Sequence, residues 1–231
     1  MPLPAIPILV TLGIATLLGG AIALNFTKLK AWLKGKEFAI LGPRRVGKTT
    51  FLNFLQTGKI EKSYRPTLAP DKFYVSSRAI NGKDADPRDR IEITLKQGVD
   101  VSGQKAAYAS WKRITKTADV VLYLFRADFV LDGDKEHLNR IRSDMGQISI
   151  WLKDRPKTNK PAIYLIGTHC DLHSDLKSLE DANVHDNFAQ LDAVKEAART
   201  VNADAVLIGS LLNADLAQGL VVRLFKHLMN G

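Results

Sequence analysis

Residues 41–55 read LGPRRVGKTTFLNFL and indicate the architecture of the chain. Gly42 to Thr49 fits the pattern G-x-x-x-x-G-K-S/T, in which backbone N–H groups of a loop point at phosphate oxygens. The apolar run EFAIL before it predicts a strand, and KTTFLNFL after it opens a helix, whose positive N-terminal end favours an anion. Lys48 is placed to reach the β and γ phosphates, and the Thr49 hydroxyl to bind Mg²⁺. The motif predicts a nucleoside triphosphate site but does not separate ATP from GTP.

Apolar runs alternate with helical patterns along the rest of the chain. VVLYLF (120–125) and AIYLIG (162–167) are continuous apolar runs, typical of central strands covered on both faces. KFYVSS and IEITL predict two strands of a hairpin, because Asn81-Gly82 between them is a strong turn signal, and AVLIGS (205–210) predicts a last strand. Apolar stripes at helical spacing predict helices through 138–152, 188–198 and 216–228. This alternation predicts an α/β fold with a mostly parallel six-stranded sheet flanked by helices.

Three further short motifs carry chemistry. SYRPT ends at Thr67, DVSGQ runs from Asp100 to Gln104 after a strand, and GTHCD ends at Asp171 after another strand. An aspartate at a strand end can hold Mg²⁺ through water, and the glycine three residues later, Gly103, lets its N–H approach a γ-phosphate. The carboxylate of Asp171 can accept two hydrogen bonds from N1 and N2 of guanine. Adenine lacks this pair of donors. A weaker alternative is a zinc site formed by His169, Cys170, Asp171 and His173, but no second pair of ligands accompanies them.

In this order, the motifs resemble those of the small GTPases of the Ras, Rab and Arf type, over about residues 37–230. Gly42–Thr49 matches the first motif of that family. Tyr64–Thr67 resembles the first switch, and Asp100–Gln104 resembles the second switch, usually D-T-A-G-Q. Thr168–Asp171 stands where the family has N-K-x-D, and Ser210-Leu211 where it has S-A-K/L. Thr168 and His169 depart from the family pattern, whereas Asp171, which carries base specificity, is retained.

The resemblance implies a G domain with a phosphate-binding loop that binds GTP or GDP with Mg²⁺ and hydrolyses GTP slowly, at roughly 10⁻⁴ s⁻¹ without an activator. It implies catalytic roles for Gln104, Lys48 and Thr67. The implied Mg²⁺ ligands are Thr49, Thr67 and Asp100. The implied nucleotide contacts are Gly42, Arg45, Val46, Gly47, Lys48, Thr49, Thr50, Thr67, Gly103, Thr168, His169, Asp171, Ser210 and Leu211.

Two arginines in the loop bear on hydrolysis, because Arg44 and Arg45 occupy positions where relatives keep small residues. Cleavage of the triphosphate needs a positioned water and positive charge over the γ-phosphate. Arg44 can displace Gln104 or block an activator's arginine. Alternatively, Arg44, Arg45 or Arg65 supplies the positive charge from within the chain, or both loop arginines point to solvent or bind anionic lipid.

The N-terminal stretch from Pro2 to Phe26 contains 25 residues and no charged side chain. About 20 apolar helical residues span a hydrocarbon core. Lys28, Lys30, Lys34 and Lys36 follow directly, and this positive charge predicts that the body of the protein faces the cytoplasm. A cleaved signal peptide is disfavoured because no positive charge precedes the apolar stretch, and a buried helix because the stretch has no polar face. The predicted organisation is a transmembrane anchor (1–27), a basic juxtamembrane linker (28–36) and a GTPase domain (37–231).

The composition fits this organisation. The chain has 33 Lys and Arg against 24 Asp and Glu, a net charge of +9, and no charged side chain precedes Lys28. A basic body suits an anionic membrane or nucleic acid. No basic run is interleaved with aromatic residues, so no nucleic acid partner is expected. Cys170 is the single cysteine, which excludes an intrachain disulfide.

The sequence therefore predicts a membrane-anchored GTPase that switches between its GTP and GDP states and recruits a protein effector to the bilayer. The resemblance adds an activator and an exchange factor to the expected partners. The layout also resembles that of the beta subunit of the signal recognition particle receptor. Two alternatives stay open: a membrane scaffold that holds GTP without hydrolysing it, and an ATPase with the same loop.

Overall fold

The computed structural model describes residues 28–60, 72–81, 90–97, 104–156, 159–176 and 182–230. The predicted membrane anchor and three predicted site residues, Thr67, Asp100 and Gly103, lie outside these ranges. Within them, no helix is both long enough and apolar enough to cross a membrane.

Strands and helices alternate as the sequence predicts. The strands are β1 (Glu37–Leu41), β2 (Lys72–Ser76), β3 (Arg90–Gln97), β4 (Val120–Arg126), β5 (Ala162–Thr168) and β6 (Ala205–Ile208). The helices are α1 (described over residues 28–33), α2 (Lys48–Thr57), α3 (Ser77–Asn81), α4 (Gln104–Thr117), α5 (Ala127–Leu131), α6 (Lys135–Lys153), α7 (Ala182–Gln190), α8 (Asp192–Val201) and α9 (Ala214–Asn230). Two short 3₁₀ turns, Cys170–Leu172 and Ser174–Leu176, follow β5.

The six strands form one sheet in the order β2-β3-β1-β4-β5-β6. All neighbouring strands are parallel except β2 and β3, which are antiparallel. The prediction of a mostly parallel six-stranded sheet is therefore confirmed. β2 and β3 lie on one side of β1, and β4, β5 and β6 lie on the other side. The strand order therefore reverses beside β1. In open α/β sheets, ligands bind outside the carboxyl ends of the strands at such a reversal.

The connection between β2 and β3 differs from the prediction. The two strands pair antiparallel as expected, but Asn81, predicted to start a two-residue turn, is the last residue of α3. Ala79 and Ile80 of this helix are buried in the core, and the side chain of Gln218 donates a hydrogen bond to the carbonyl of Ile80 at 3.1 Å. Burial of these apolar side chains against α9 favours a helix over the local turn signal.

Helices cover both faces of the sheet. α1, α2, α3 and α9 share one hydrophobic cluster with the sheet, and α4 to α8 share another on the opposite face. Leu29 and Leu33 of α1 are buried, so residues 28–33, predicted as a linker, pack as part of the folded body. The helix predicted through 188–198 is divided between α7 and α8. Leu191 separates them with an extended backbone, and Asp192 then starts α8 with a negative charge in its first turn, where the helix dipole favours it.

Candidate functional site

The loop between β1 and α2 turns sharply at the carboxyl edge of the sheet. Its φ angle is 134° at Gly42, 61° at Arg45 and 83° at Gly47. A Cβ atom on Gly42 would lie 2.1 Å from the carbonyl oxygen of Leu124, so only glycine lets the loop pack this closely on β4. Loops of this kind gather backbone N–H groups on a concave side that suits a phosphate.

Lys48 supplies positive charge at this loop. It is the first residue of α2, and its side chain is buried against the loop. Its Nζ donates hydrogen bonds to the carbonyl oxygens of Gly42 at 2.6 Å and Pro43 at 2.5 Å. Loop and lysine together form one electropositive surface, at the helix end where the dipole also favours an anion.

Thr168, the last residue of β5, connects the loop to two strands. Its side chain is fully buried, and its hydroxyl lies 3.0 Å from the carbonyl oxygens of both Val46 and Phe125. The same hydroxyl lies 2.8 Å from Nδ1 of His169. A hydroxyl has one proton to donate, so it alternates between these acceptors or receives one from the imidazole. Thr168 thus fixes the loop at the position where the resembling family has an asparagine.

His169 lies beside the loop in a left-handed backbone conformation, with φ of 61°. Burial, and then the positive charge of Arg126, lower the pKa of this imidazole below its ordinary value. A Cβ atom on Gly47 would lie 3.9 Å from the ring carbon Cε1 of His169. The ring is therefore a mostly neutral wall next to the loop at pH 7.

The ends of β5 and β6 meet on the other side of the loop. The fully buried hydroxyl of Ser210 donates a hydrogen bond to Oδ1 of Asp171, and Oγ of Ser210 accepts one from the backbone N–H of Leu212 at 3.0 Å. The side chain of Leu211 reaches the loop, because a Cβ on Gly47 would lie 2.8 Å from its Cδ1. These contacts fix the orientation of the Asp171 carboxylate relative to the loop.

The structure places twelve of the predicted nucleotide contacts at one edge of the sheet. They are Gly42, Arg45, Val46, Gly47, Lys48, Thr49, Thr50, Thr168, His169, Asp171, Ser210 and Leu211. Gln104 is the first residue of α4. Of the three predicted Mg²⁺ ligands, Thr49 lies in the first turn of α2, and Thr67 and Asp100 lie outside the described residues, as does Gly103.

The loop arginines are both exposed. Arg44 and Pro43 line an open groove of about 500 Å³, whose far wall is formed by residues of α5 and α6, among them Phe129, His137 and Arg140. The roles suggested for Arg44 and Arg45 in hydrolysis stay predictions.

An ion pair between the half-buried Arg126 and the buried Asp128 is missing from the sequence-based prediction. Nε of Arg126, at the end of β4, donates a hydrogen bond to Oδ1 of Asp128 at 3.0 Å, and its guanidinium lies 3.8 Å from the centre of the Phe129 ring. Burial raises the pKa of Asp128, but the hydrogen bonds and charge of Arg126 outweigh it and hold that pKa below its ordinary value. A charged R-A-D directly after an apolar strand is the signal that could have identified this pair.

The zinc alternative is not supported by the geometry. Cys170 is fully buried, and burial raises the pKa of its thiol to about 12. Its thiol points to the carbonyl of Gly167, at 3.8 Å. Across the described part of the chain, no group of three or more His, Cys, Asp or Glu side chains is placed to hold a metal ion.

No protein-family model matches the chain. Among solved structures, it is similar to the ADP-ribosylation factor-like GTP-binding protein (small COPII coat GTPase SAR1) of Encephalitozoon cuniculi in complex with GDP, with 17% identity, 95% of this chain and 91% of that chain covered, and a TM-score of 0.49. It is also similar to a GTP-binding protein of the archaeon Sulfolobus solfataricus in complex with GDP, with 13% identity, 91% and 57% covered, and a TM-score of 0.50.

A glycine-to-proline variant of SsGBP gives 14% identity, 93% of this chain and 64% of that chain covered, and a TM-score of 0.51. The chain thus spans about three-fifths of the length of these last two proteins. At this level of identity the likeness shows a common fold. The chain has the α/β fold of these GTP-binding proteins.

Proposed function

We propose that this protein binds GTP and GDP with Mg²⁺ and hydrolyses GTP to GDP. The observation that carries the proposal is the arrangement at one edge of the sheet. A glycine-bearing loop with its lysine, which suits phosphates, lies next to a carboxylate, Asp171, that Ser210 holds in place. The fold shared with GTP-binding proteins supports the same assignment.

The phosphates bind at the loop. Backbone N–H groups between Gly42 and Gly47 and the start of α2 face the phosphate oxygens, and Lys48 adds charge. The close packing at Gly42 supports this fit, because a side chain there would push the loop away from β4. Thr49, together with Thr67 and Asp100, would hold Mg²⁺, which neutralises charge between the phosphates.

The guanine base binds at the ends of β5 and β6. Asp171 accepts hydrogen bonds from the base, and adenine lacks the matching pair of donors. Ser210 fixes one oxygen of that carboxylate, so the carboxylate does not need to be ordered when the base arrives. Leu211 and the mostly neutral His169 provide walls between the base and the phosphate loop.

Hydrolysis needs a water held in line with the γ-phosphate. Gln104 is the residue proposed to orient this water, and it stands at the start of α4, directly after the DVSG segment. Thr67 and Lys48 contact the γ-phosphate in the same proposal. Loss of the γ-phosphate then releases the segments around Thr67 and Gly103, which is how such a site acts as a switch.

The proposed setting is a membrane. The uncharged stretch from Pro2 to Phe26 would anchor the chain, with the GTPase body in the cytoplasm. The described part of α1 packs on the body through Leu29 and Leu33, two residues that follow closely after the proposed anchor. The GTP form would recruit an effector protein to the bilayer, in a layout like that of the signal recognition particle receptor beta subunit.

A scaffold that holds GTP without cleaving it is the second candidate. The observation that favours it is Arg44, an exposed, bulky side chain in the loop at the entrance to the groove beside α6. Such bulk can keep Gln104 or an activator's arginine from the γ-phosphate. The rest of the site would be the same in both candidates.

Single-turnover hydrolysis of GTP with Mg²⁺ separates the candidates. The full chain in detergent would be compared with Gln104→Leu and Arg44→Gly. Phosphate release by the wild type that Gln104→Leu loses supports the GTPase. GTP that stays intact for hours in the wild type, and is cleaved in Arg44→Gly, supports the scaffold. An effector that binds the GTP, GDP and nucleotide-free forms equally would refute the switch.

A further inference from the structure

One buried carboxylate joins α4, α6 and β4. Asp144 of α6 has no exposed side-chain surface. Its Oδ1 accepts a hydrogen bond from the Tyr108 hydroxyl of α4 at 2.7 Å, and its Oδ2 accepts one from the Tyr123 hydroxyl of β4 at 2.7 Å. Nε of Arg140 lies 2.9 Å from both oxygens. The carboxylate therefore has partners on its own helix, on the neighbouring helix and on the sheet.

Burying this carboxylate carries an unfavourable free energy of desolvation, which argues that the cluster does more than pack the core. Taking a carboxylate out of water carries a penalty, and apolar residues would pack the same volume without it. Burial raises the pKa of Asp144, and Arg140 and the two hydroxyls counteract this effect. A hydrogen-bonded carboxylate fixes distance and direction between elements more narrowly than apolar contact does.

Aromatic packing strengthens the same junction. The ring of Tyr108 meets that of Trp151 on α6 edge to face, with 5.8 Å between the ring centres. The guanidinium of Arg140 lies 5.7 Å from the centre of the Trp111 ring on α4. The first half of α4 is therefore held on α6 by side chains from both helices.

The junction lies close to Gln104, the residue proposed to orient the attacking water. Tyr108 lies four residues after Gln104, the first residue of α4, which is about one helical turn, or roughly 6 Å along the axis. Arg140, the third partner of Asp144, also lines the groove opposite Pro43 and Arg44 of the phosphate loop. The junction is thus connected to the first turn of α4 through Tyr108 and to the groove beside the loop through Arg140.

We propose that Tyr108 and Asp144 are positioning residues: their hydrogen bond holds the first turn of α4 so that Gln104 stands at the phosphate edge of the sheet. This proposal rests on the proposed GTPase function. Loss of the bond slows the cleavage of bound GTP but leaves the affinity for GTP and GDP unchanged, because neither residue belongs to the loop or the base site.

Tyr108→Phe and Tyr123→Phe form a matched pair for the test. Each removes one hydroxyl that donates to Asp144 and keeps the ring, but only Tyr108 lies on α4. The full chain, wild type and variants, would be compared by hydrogen–deuterium exchange at the amides of α4 and by single-turnover GTP hydrolysis. Loss of a hydrogen bond to a charged group shifts a local opening equilibrium by roughly tenfold or more, and exchange in the first turns of α4 follows it.

The proposal predicts about tenfold faster exchange at the start of α4 in Tyr108→Phe, and a similarly slower cleavage, with unchanged nucleotide affinity. Tyr123→Phe should show neither effect, although both variants lose stability. Equal exchange at the start of α4 in the two variants would overturn the proposal. If the wild type cleaves no GTP, the proposed hydrolytic function is wrong. The exchange comparison alone then decides whether the Tyr108–Asp144 hydrogen bond holds the first turn of α4.

Discussion

The hydroxyl of Ser210 donates a hydrogen bond to the carboxylate of Asp171 across the carboxyl ends of β6 and β5. Ser210 is fully buried, and its Oγ also accepts from the backbone N–H of Leu212, so its own position is fixed. The carboxylate is thereby held at the edge of the site in one orientation. A base that approaches this edge meets an acceptor that is already oriented, which reduces the entropy lost on binding.

Replacing Asp171 with asparagine should change the preferred base. An amide donates and accepts, so it suits xanthine, which has a carbonyl where guanine has an amino group. Loss of two hydrogen bonds to a charged group costs about 3 kcal/mol, so GDP should bind roughly a hundredfold more weakly. Competition between GDP and xanthosine diphosphate for the full chain measures the change. Ser210→Ala is the control and should keep the preference for guanine. Wild-type GDP affinity in Asp171→Asn would contradict this role.

Gly42→Ala should strongly destabilise the protein. The added methyl would meet the carbonyl oxygen of Leu124 at 2.1 Å, and the backbone φ of 134° is rarely adopted by other residues. The expected loss in the free energy of unfolding is about 3 kcal/mol, measured by urea denaturation. Gly146→Ala is the matched control, because Gly146 lies in α6 with no atom within 4 Å of the added methyl. It should stabilise by about 0.5–1 kcal/mol. A neutral Gly42→Ala would show that the loop does not pack on β4 as described.

Thr168→Val should loosen the phosphate loop. The substitution keeps the shape but removes the hydroxyl that lies between the carbonyls of Val46 and Phe125. The free energy of unfolding should fall by about 1–3 kcal/mol, and nucleotide affinity should fall with it. Thr168→Ser keeps the hydroxyl and should retain the affinity. Wild-type affinity in Thr168→Val, with weak binding in Thr168→Ser, would show that the methyl group rather than the hydroxyl supports the loop.

Stability should decrease as the pH falls below about 6.5, the ordinary pKa of histidine. Nε2 of His137 accepts a hydrogen bond from the N–H of Arg126 at 3.1 Å, which requires a neutral ring. Burial is the main cause that lowers the pKa of His137 in the folded protein. The unfolded chain therefore binds a proton first, so this contribution is present above the ordinary pKa and is lost as the pH falls through the folded pKa.

Urea titrations between about pH 7 and pH 5 measure this dependence. His137→Gln should reduce its slope relative to the wild type, because the substitution removes the buried titratable ring. His169, whose pKa is also lowered, accounts for part of the slope that remains. An unchanged slope in His137→Gln would contradict the hydrogen bond to Arg126.

Much of the fold is predictable from the sequence, for local reasons. β4 and β5 are buried on both faces, so their residues form continuous apolar runs that stand out from the rest of the chain. The loop and the start of α2 follow from glycines and a lysine at fixed spacing. The residues around Asp171 and Ser210 directly follow strands, and parallel strands bring their carboxyl ends to one edge.

What the sequence did not predict depends on contacts between distant residues. Ser77–Asn81 forms a helix because Ile80 is buried beside α9. This contact is distant in sequence, so the local turn motif does not predict it. The junction at Asp144 joins residues 21 and 36 positions apart, and an aspartate within an apolar helical stripe gives no sign of its two tyrosine partners. The lysines of residues 28–36 predict a linker, but Leu29 and Leu33 are buried against the folded body, a contact that the local sequence does not indicate.

The most direct test of the guanine nucleotide site is equilibrium binding of GDP and ADP to the full chain with Mg²⁺, with Lys48→Ala as the control for the phosphate loop. A site built to hydrogen-bond one base rejects the other strongly. We expect GDP to bind at least roughly a hundredfold more tightly than ADP, and both to bind poorly to Lys48→Ala. Equal binding of the two nucleotides, or tighter binding of ADP, would contradict the assignment of the base site to Asp171 and favour an ATPase.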